Sequence, residues 1–408
     1  MRLSGFPKGM DNVHSDTEIP LDALRRAINV DILDSGKIRR RKGHTLTNPM
    51  TGAHSLWSDD KNKAYLVHNN ILKAVLDGGS TQDLGVIAAN GNPVSYVKVN
   101  DDVYFSCATA KGKISNGTIK PWGIETPSTP PVAIESIGIL NAGTYHLAMT
   151  FLLSDGRESG ASTLSSVVLN GESGITITSM PVPISPDVVK KRLYVTTANG
   201  ETLYLARELN PLDQFASISN DADGAELRTA YMTEPVFSTG LAQVNGRIFM
   251  IDANNPKRVV HTEALAFDHV DARKNFYLFP SDVTLIAATR NGLYVCADKT
   301  YFIRAAGTEE NSQVDVFDYT GMARTVQTIP STLEPIWLSE RGAVIGHEGG
   351  NAEILSEGSL ATGSMLNAAS MVREQDGVRQ YVVVGQQEEG STVEAGSYAE
   401  AEITRRAV

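Results

Sequence analysis

The stretch NGLYVCADKTYFIR, residues Asn291 to Arg304, carries the pattern that decides the fold. An Asn-Gly pair precedes the apolar run LYVC, the polar turn ADKT follows, and a second apolar run, YFI, comes next. Asn-Gly favours tight turns because both residues tolerate positive φ angles, and short apolar runs bounded by turn residues are typical of β-strands. The stretch therefore predicts a β-hairpin whose first strand is buried.

Four other segments repeat this pattern along the chain. Their register residues, one aromatic or aliphatic residue in each buried run, are separated by 39, 144, 46 and 50 residues by subtraction. Spacings of about 40 to 50 residues match one four-stranded blade of a β-propeller, with a β-barrel as the alternative. The segments are NKAYLVHNNILKAVL from Asn62, NDDVYFSCATAKGKI from Asn100, NGRIFMIDANNPKRVV from Asn245 and RGAVIGHEGGNAEIL from Arg341, with register residues Tyr65, Tyr104, Ile248, Tyr294 and Val344.

The long interval of 144 residues indicates an insertion or a divergent blade. It opens with the proline-rich ETPSTPPVAI and continues through strand-like runs with turn pairs at Asp155-Gly156 and Asn199-Gly200. That spacing fits an immunoglobulin-like β-sandwich of about 100 residues. The predicted fold is mostly β: an extended N-terminal arm with the first strands (1–50), a first propeller part (51–126), the inserted sandwich (127–233) and a second propeller part (234–408). One short stretch, Pro20 to Asn29, resembles a helix.

Composition indicates an ordered protein and argues against one kind of function. The 408 residues are 41% hydrophobic and 20% charged, which is typical of folded chains. The formal net charge of −11 argues against general DNA coating, which depends on many Lys and Arg contacts with phosphate. No apolar run reaches 18 residues and MRLSGFPKGMDN has no signal-peptide core, so we expect synthesis and folding in a cytoplasm. Cys107 and Cys296 follow apolar runs and are predicted to be buried thiols.

No motif indicates catalysis, a cofactor or a metal. The eight histidines are scattered, and HExxH, GxSxG, P-loop and GxGxxG motifs do not occur. DADG from Asp221 resembles the start of a calcium loop but lacks the first ligand and the final Glu of that motif. A second candidate metal set, Glu340, His347 and Glu348, is explained by a glycine-rich hairpin without a metal. A glycan-cleaving enzyme would need paired carboxylates that the sequence does not mark. We therefore expect a protein without enzymatic activity.

A basic cluster, KIRRRKGH, begins at Lys37. In a strand, Lys37, Arg39 and Arg41 would lie on one face, and Arg40 and Lys42 on the other. Three interpretations stay open: a solvated face that protects a sheet edge, a contact with acidic residues of another subunit, or contacts with DNA phosphates. The candidate subunit-interface or DNA-contact residues are Lys8, Arg25, Arg26, Lys37, Arg39, Arg40, Arg41 and Lys42.

The N-terminal order of motifs resembles the opening of the tail nozzle, or tail-hub, proteins of short-tailed bacteriophages. The matching features are KGM-DN, LRRAINVDI, the DSG turn and RRRKGH; AGTYHLAMTFLLSDGRESGAS and IWLSERGAVIGHEGGNAEIL resemble an inserted immunoglobulin-like module and a late blade of the same group. The matching N-terminal positions are Lys8, Gly9, Arg26, Asn29, Gly36, Arg39, Arg40 and Gly43.

This resemblance implies a structural virion protein of the phage tail, made in the bacterial cytoplasm. It implies an oligomeric nozzle, hub or tail-tip ring, hexameric in the family, through which DNA is ejected without specific binding. Its partners would be copies of itself and adaptor, baseplate or fibre proteins. The alternative is a tail-tip or fibre-attachment protein that binds a host receptor or glycan, with Trp57, Trp122 and Tyr231 as aromatic platforms.

Overall fold

The structure is a computed structural model that describes residues 5–33, 35–41, 46–59, 61–311, 314–355, 357–363, 365–375, 378–387 and 401–406. It is nearly all β: within these ranges the only helical element is a 3-10 turn at Asp77–Gly79. No helix formed by the described residues is long and apolar enough to cross a membrane.

The strands are short and follow one another closely along the chain. The first ten are β1 (Val30–Ile32), β2 (Ile38–Arg40), β3 (His54–Ser58), β4 (Ala64–His68), β5 (Ile71–Val75), β6 (Thr81–Val86), β7 (Ser95–Val99), β8 (Asp102–Ser106), β9 (Lys111–Ser115) and β10 (Thr118–Lys120). The next twelve are β11 (Val132–Leu140), β12 (Gly143–Leu153), β13 (Ser165–Leu169), β14 (Ser173–Ser179), β15 (Val188–Val195), β16 (Tyr204–Leu209), β17 (Ala216–Ile218), β18 (Met232–Thr233), β19 (Ser238–Val244), β20 (Arg247–Asp252), β21 (Arg258–His261) and β22 (Val270–Asp271). The last twelve are β23 (Phe276–Leu278), β24 (Leu285–Ala288), β25 (Gly292–Cys296), β26 (Thr300–Arg304), β27 (Val314–Phe317), β28 (Gln327–Thr328), β29 (Pro335–Ser339), β30 (Gly342–Gly346), β31 (Ala352–Ile354), β32 (Met365–Gln375), β33 (Val378–Gln387) and β34 (Ala401–Arg406).

The chain divides into two compact units. Unit 1 comprises Met1–Ile119, Phe237–Val259 and Tyr277–Val408, and unit 2 comprises Lys120–Val236 and Val260–Phe276. Unit 2 includes the range 127–233 that we expected as an insertion. It also includes 260–276, which the sequence analysis had counted with the second propeller part.

Unit 1 is built on six antiparallel sheets, numbered here in chain order. Sheets 1 to 5 have four strands each and sheet 6 has three. The five predicted hairpins are confirmed. Four of them form the second and third strands of a four-stranded sheet, and the hairpin from Arg341 forms the third and fourth strands, β30 and β31, of its sheet. The strand orders are β3-β4-β5-β6, β7-β8-β9-β10, β19-β20-β21-β23, β24-β25-β26-β27, β28-β29-β30-β31 and β32-β33-β34.

Consecutive sheets pack face to face, which explains why their strands are apolar without alternation. In β25, Leu293 and Val295 pack in a cluster with sheet 3, whereas Tyr294 and Cys296 pack in a cluster with sheet 5. A strand covered on both faces reads as a continuous apolar run. Each large apolar side chain buried in this way contributes about 1.5–3 kcal/mol.

Sheets 2 and 3 remain neighbours although more than a hundred residues of sequence separate them. The backbone N–H of Ser238 donates to Ser106 Oγ at 2.9 Å, and the N–H of Leu241 donates to Ser95 Oγ at 3.0 Å. Strand β19 also packs on β7 and on β24, so it links sheet 2 to sheet 4. Chain order and stacking order therefore agree in unit 1 across the interruption.

Unit 2 contains two antiparallel sheets that share one core. Their strand orders are β11-β14-β17 and β13-β12-β15-β16. Alternate residues of β12, including Tyr145, Leu147 and Met149, point into the core, where they meet Ile175 of β14 and Leu193 of β15. This period-two pattern is the one expected of a two-layer β structure.

The helix suggested for Pro20 to Asn29 is wrong. The segment forms turns, and Leu24 makes an isolated parallel bridge with Met10. The N–H of Leu24 donates to Gly9 O at 2.8 Å and its carbonyl accepts from Asp11 N at 2.8 Å. Because the backbone of Leu24 bonds to another segment, it cannot take part in an i to i−4 helical ladder.

A buried ion pair joins sheets 1 and 2 at Asp59. One carboxylate oxygen lies 2.6 Å from Lys98 Nζ, and the other accepts from the backbone N–H groups of Lys61, Asn62 and Lys63 at 2.9–3.1 Å. Burial acts to raise the pKa of Asp59, but the Lys98 pair and these N–H donors outweigh it and lower the pKa to about 2.

The Asp59→Asn variant is expected to lose about 2 kcal/mol of stability at pH 7, because Lys98 loses a charged acceptor. The folded-state pKa lies below the unfolded value of 3.8, so the wild-type advantage is present above pH 3.8 and disappears as pH falls toward 2. Urea unfolding of both proteins at pH 7, 4 and 3 measures the difference. The exposed pair of Asp83 with Lys73 is the control, since Asp83→Asn should change stability little. An Asp59→Asn deficit that is as large at pH 3 as at pH 7 would contradict the assignment.

Candidate functional site

The N-terminal segment is folded onto unit 1 rather than extended. The Asn12 side chain makes two hydrogen bonds to the backbone of Ala361: Nδ2 donates to its carbonyl at 2.7 Å and Oδ1 accepts from its N–H at 2.8 Å. The N–H of Asn12 also donates to Ser359 O at 2.9 Å. Asn12 thus anchors the segment to the connection between sheets 5 and 6.

A buried carboxylate shapes the turn that follows the anchor. Asp11 accepts hydrogen bonds from the backbone N–H groups of Val13 and His14, and its other oxygen lies 2.8 Å from His14 Nδ1. Burial acts to raise the pKa of Asp11, but the hydrogen bonds from His14 and Val13 lower it below its usual value. Asp11 therefore remains an anion that holds this turn closed.

The basic cluster lies in the antiparallel hairpin β1–β2. Arg39 is directly opposite Asp31, and Arg40 is opposite Val30. Asp31 is 8% exposed, and its two oxygens lie 3.2 Å from Arg39 and 3.5 Å from Arg41. Two of the predicted contact residues therefore form ion pairs inside their own hairpin.

The other face of the hairpin has no such pairing. We name the hairpin surface the four residues of this face, Val30, Ile32, Ile38 and Arg40, together with Lys37 at the turn end of the hairpin. Lys37 lies opposite Leu33, so it projects from the same face as Arg39. Arg40 and Lys37 are exposed and form no ion pair with any described residue, and Ile38 is 46% exposed. The hairpin surface thus combines two cations that have no ion pair in the described part of the chain with one exposed aliphatic side chain, Ile38, and two half-buried ones, Val30 and Ile32.

The remaining predicted residues lie apart from the hairpin surface. Lys8 pairs with Asp22 at 3.2 Å, and Arg25 pairs with Asp16 at 3.5 Å and donates to the carbonyl of His14. Arg26 is exposed. Lys42 lies outside the described residues, so its predicted contact stays a prediction.

Asp31 and Asn12, which position the hairpin and the N-terminal segment, were not among the residues predicted from the sequence. Asp31 could have been found, because it stands in the strand opposite the arginines and opposite charges are favoured across a strand pair. Asn12 had no such signal, since its partner Ala361 is 349 residues away.

Replacing Asp31 with alanine is expected to open the hairpin, because Arg39 and Arg41 would lie side by side without the carboxylate that neutralises them. Trypsin cleaves after Lys and Arg, so cleavage at the cluster should become at least tenfold faster under native conditions. Limited proteolysis followed by mass spectrometry measures the rate. Asp22→Ala, which breaks only the exposed pair with Lys8, should leave the rate unchanged; equal rates for the Asp31 variant and the wild type would show that the ion pairs do not hold the hairpin.

Neither of the other candidate chemistries is assembled in the described part of the chain. No group of three His, Cys, Asp or Glu residues there could hold a metal ion. His347 lies between Glu334, at 2.7 Å from Nδ1, and Glu353, at 3.6 Å from Nε2, while Glu348 pairs with Arg290. The carboxylates around His347 are therefore Glu334 and Glu353 rather than the Glu340 and Glu348 considered from sequence.

The three aromatic residues considered as glycan platforms are already in contact with other groups. Trp57 stacks on Tyr65 and Tyr96 with centroids 6.1 and 5.8 Å away. Trp122 is 2% exposed and donates from Nε1 to Phe267 O at 2.7 Å. Tyr231 is exposed, but the guanidinium of Arg273 lies 3.5 Å from its ring centroid. Of the three, Tyr231 is the most exposed, at 56%.

No protein-family model and no curated protein matches the chain. Among solved structures, Kluyveromyces lactis Hsv2 is similar at 8% identity and a TM-score of 0.30, covering 80% of this chain and 87% of that chain. BBS1N in complex with ARL6DN is similar at 12% identity and a TM-score of 0.34, covering 83% of this chain and 94% of that chain. YCF48 bound to D1 peptide is similar at 9% identity and a TM-score of 0.33, covering 84% of this chain and 92% of that chain. Similarities this distant carry no argument about function.

Proposed function

We propose that the chain is a non-enzymatic structural protein of a bacteriophage tail, an oligomeric nozzle, hub or tail-tip component that surrounds the path of the ejected DNA. The observation that carries the proposal is the interrupted stack: two sheets, an inserted two-sheet unit and then four further sheets. This is the order that the N-terminal, middle and late motifs imply through their resemblance to tail proteins.

The same proposal includes a propeller for unit 1 and an immunoglobulin-like fold for unit 2. Six antiparallel meanders that pack face to face in chain order are the building units of a six-bladed propeller. Closure would bring sheet 6 against sheet 1. Apolar residues on the two end sheets support this, since Leu56 and Val86 of sheet 1 and Met371 and Val384 of sheet 6 are about half exposed or more.

The charge of the chain supports passage of DNA without binding. Residues 1–50 contain 9 Lys and Arg and 6 Asp and Glu, so their net charge is +3. Because the whole chain has a net charge of −11, the other 358 residues have a net charge of −14. Carboxylates repel phosphate and release no counterions, so an acidic wall offers DNA few places to bind. Adaptor, baseplate or fibre proteins would then be the partners, and the virion tail the location.

Cryo-electron microscopy of purified particles of the phage that encodes the chain tests this function. We expect copies of the chain in a ring on the tail axis around an open lumen. Copies placed off the axis with loops directed outward would replace the proposal with host recognition. Absence of the chain from the particle, established by mass spectrometry, would remove both.

A further inference from the structure

We propose that the hairpin surface binds an acidic surface of a second copy of this chain, outside that copy's residues 1–50. The inference rests on the proposed oligomeric function and specifies the contact that builds the oligomer. It assigns different roles to the clustered cations: Arg39 and Arg41 hold the hairpin together, while Arg40, and Lys37 at the turn end, contact the partner.

The composition of the hairpin surface favours a protein partner over DNA. Ile38 is 46% exposed, and Ile28, just before β1, is 60% exposed. Exposed aliphatic side chains next to arginine are typical of the centre of protein interfaces, whereas phosphate contacts come from cations and polar groups. Two cations alone would also bind DNA phosphates weakly, because affinity for DNA increases with the number of phosphate contacts.

Charge complementarity identifies the partner as a second copy. The net charge is +3 in residues 1–50 and −14 in the rest of the chain. A copy therefore carries both a basic segment and an acidic remainder, and attraction between copies joins unlike regions. Such attraction would be strongest at low salt and would be screened over about 8 Å at physiological ionic strength.

The structure also places the hairpin so that it can bind without first folding. The Phe6 N–H donates to Gly36 O at the hairpin turn, at 2.6 Å, and Arg41 N donates to Asn29 O at 2.9 Å. With the anchor at Asn12, these bonds order the hairpin before it meets a partner, which lowers the entropy lost on association.

A contact between unlike surfaces has a geometric consequence. Each copy offers one basic and one acidic side. Two copies that use both sides on each other form a two-fold dimer, whereas copies that use them on different neighbours form a closed ring or an open filament. The second arrangement is the one that the proposed function requires.

Sedimentation of the full-length protein tests the contact. We expect oligomers at about 100 µM protein and 50 mM salt that dissociate at 500 mM salt, with the steep salt dependence typical of charge-steered association. The double variant Lys37→Glu and Arg40→Glu should weaken association at least tenfold. The matched control, Lys299→Glu with Arg228→Glu, introduces the same charge change at two exposed cations and should associate like the wild type.

Zero-length coupling of lysine to carboxylate identifies the partner surface. A mixture of ¹⁴N and ¹⁵N copies, coupled with a carbodiimide and digested, should yield mixed-isotope links from Lys37 to Asp or Glu residues outside 1–50. Circular dichroism and melting of the double variant should match those of the wild type, because neither residue forms an ion pair with a described residue.

Three results would overturn the inference: a monomeric wild type throughout this range, unaltered association of the double variant, or Lys37 links only to residues 1–50 of the other copy. A ring on the tail axis assembled through another surface would remove this contact and leave the proposed function intact. If the chain associates in solution but is absent from the particle, the contact stands and the proposed function is removed.

Discussion

The Trp337→Ala variant is expected to lose about 3–5 kcal/mol of stability and to fail to assemble. Trp337 is fully buried in β29, in the cluster that joins sheets 4 and 5, and its ring centroid lies 5.2 Å from that of Tyr294. Removing a buried indole forfeits its transfer free energy and leaves a cavity that the surrounding strands fill only in part. Urea unfolding followed by far-ultraviolet circular dichroism measures the loss without relying on tryptophan fluorescence.

Trp337→Phe is the matched control. Among the described residues, none is a hydrogen-bond partner of the indole Nε1 of Trp337, so phenylalanine removes volume without breaking a hydrogen bond to them. We expect it to cost about 1–2 kcal/mol, less than half the loss in the alanine variant. Equal losses in the two variants would mean that packing between sheets 4 and 5 is not what Trp337 supplies.

The Glu158→Ala variant is expected to destabilise unit 2 by about 2–4 kcal/mol, because it removes one partner of a partly buried charge pair and the acceptor of two buried hydroxyls. One oxygen of Glu158 accepts from Thr150 Oγ1 at 2.5 Å and from the Tyr194 hydroxyl at 2.6 Å, and the other accepts from Arg192 at 2.7 Å. Thr150 and Tyr194 are buried, so alanine would leave their hydroxyls without this acceptor. Hydrogen exchange of peptides from β12 and β15, read by mass spectrometry, follows this loss in unit 2 alone.

Glu158→Gln separates charge from hydrogen bonding in the same network. The amide oxygen still accepts from the two hydroxyls but no longer neutralises Arg192, so we expect about half the loss. Burial, followed by the hydrogen bond to Glu158, raises the pKa of Tyr194, which keeps that hydroxyl protonated as a donor. Exchange rates in Glu158→Ala that match the wild type would show that the network contributes little.

The sequence predicted the repeated hairpins well because their signal is local. In β25 and β30 every residue is buried, and each strand follows a tight turn, so a short apolar run was enough to identify it. Sheet 6 was not assigned from the sequence. The pair Asp376-Gly377 in the sequence, between the alternating runs of β32 and β33, is a hairpin signature that would have identified two of its strands.

The partners within the basic cluster could not be predicted from spacing alone. Strand alternation correctly separates Arg39 and Arg41 from Arg40. It gives no information on which face meets a carboxylate, because that depends on the register with β1 and on the burial of Asp31. The anchor at Asn12 depends on a contact across almost the whole chain, which no local pattern encodes.

Both cysteines of the chain are buried, and this makes the protein suitable for site-specific labelling. Cys107 and Cys296 are fully inaccessible, and burial raises the pKa of the Cys296 thiol to about 12. Maleimide dyes react with exposed thiolates, so neither native cysteine should compete for the reagent. A single cysteine introduced at Lys299, an exposed position outside the hairpin surface, could thus carry one fluorophore per copy, and energy transfer between copies would report assembly in real time without altering either core.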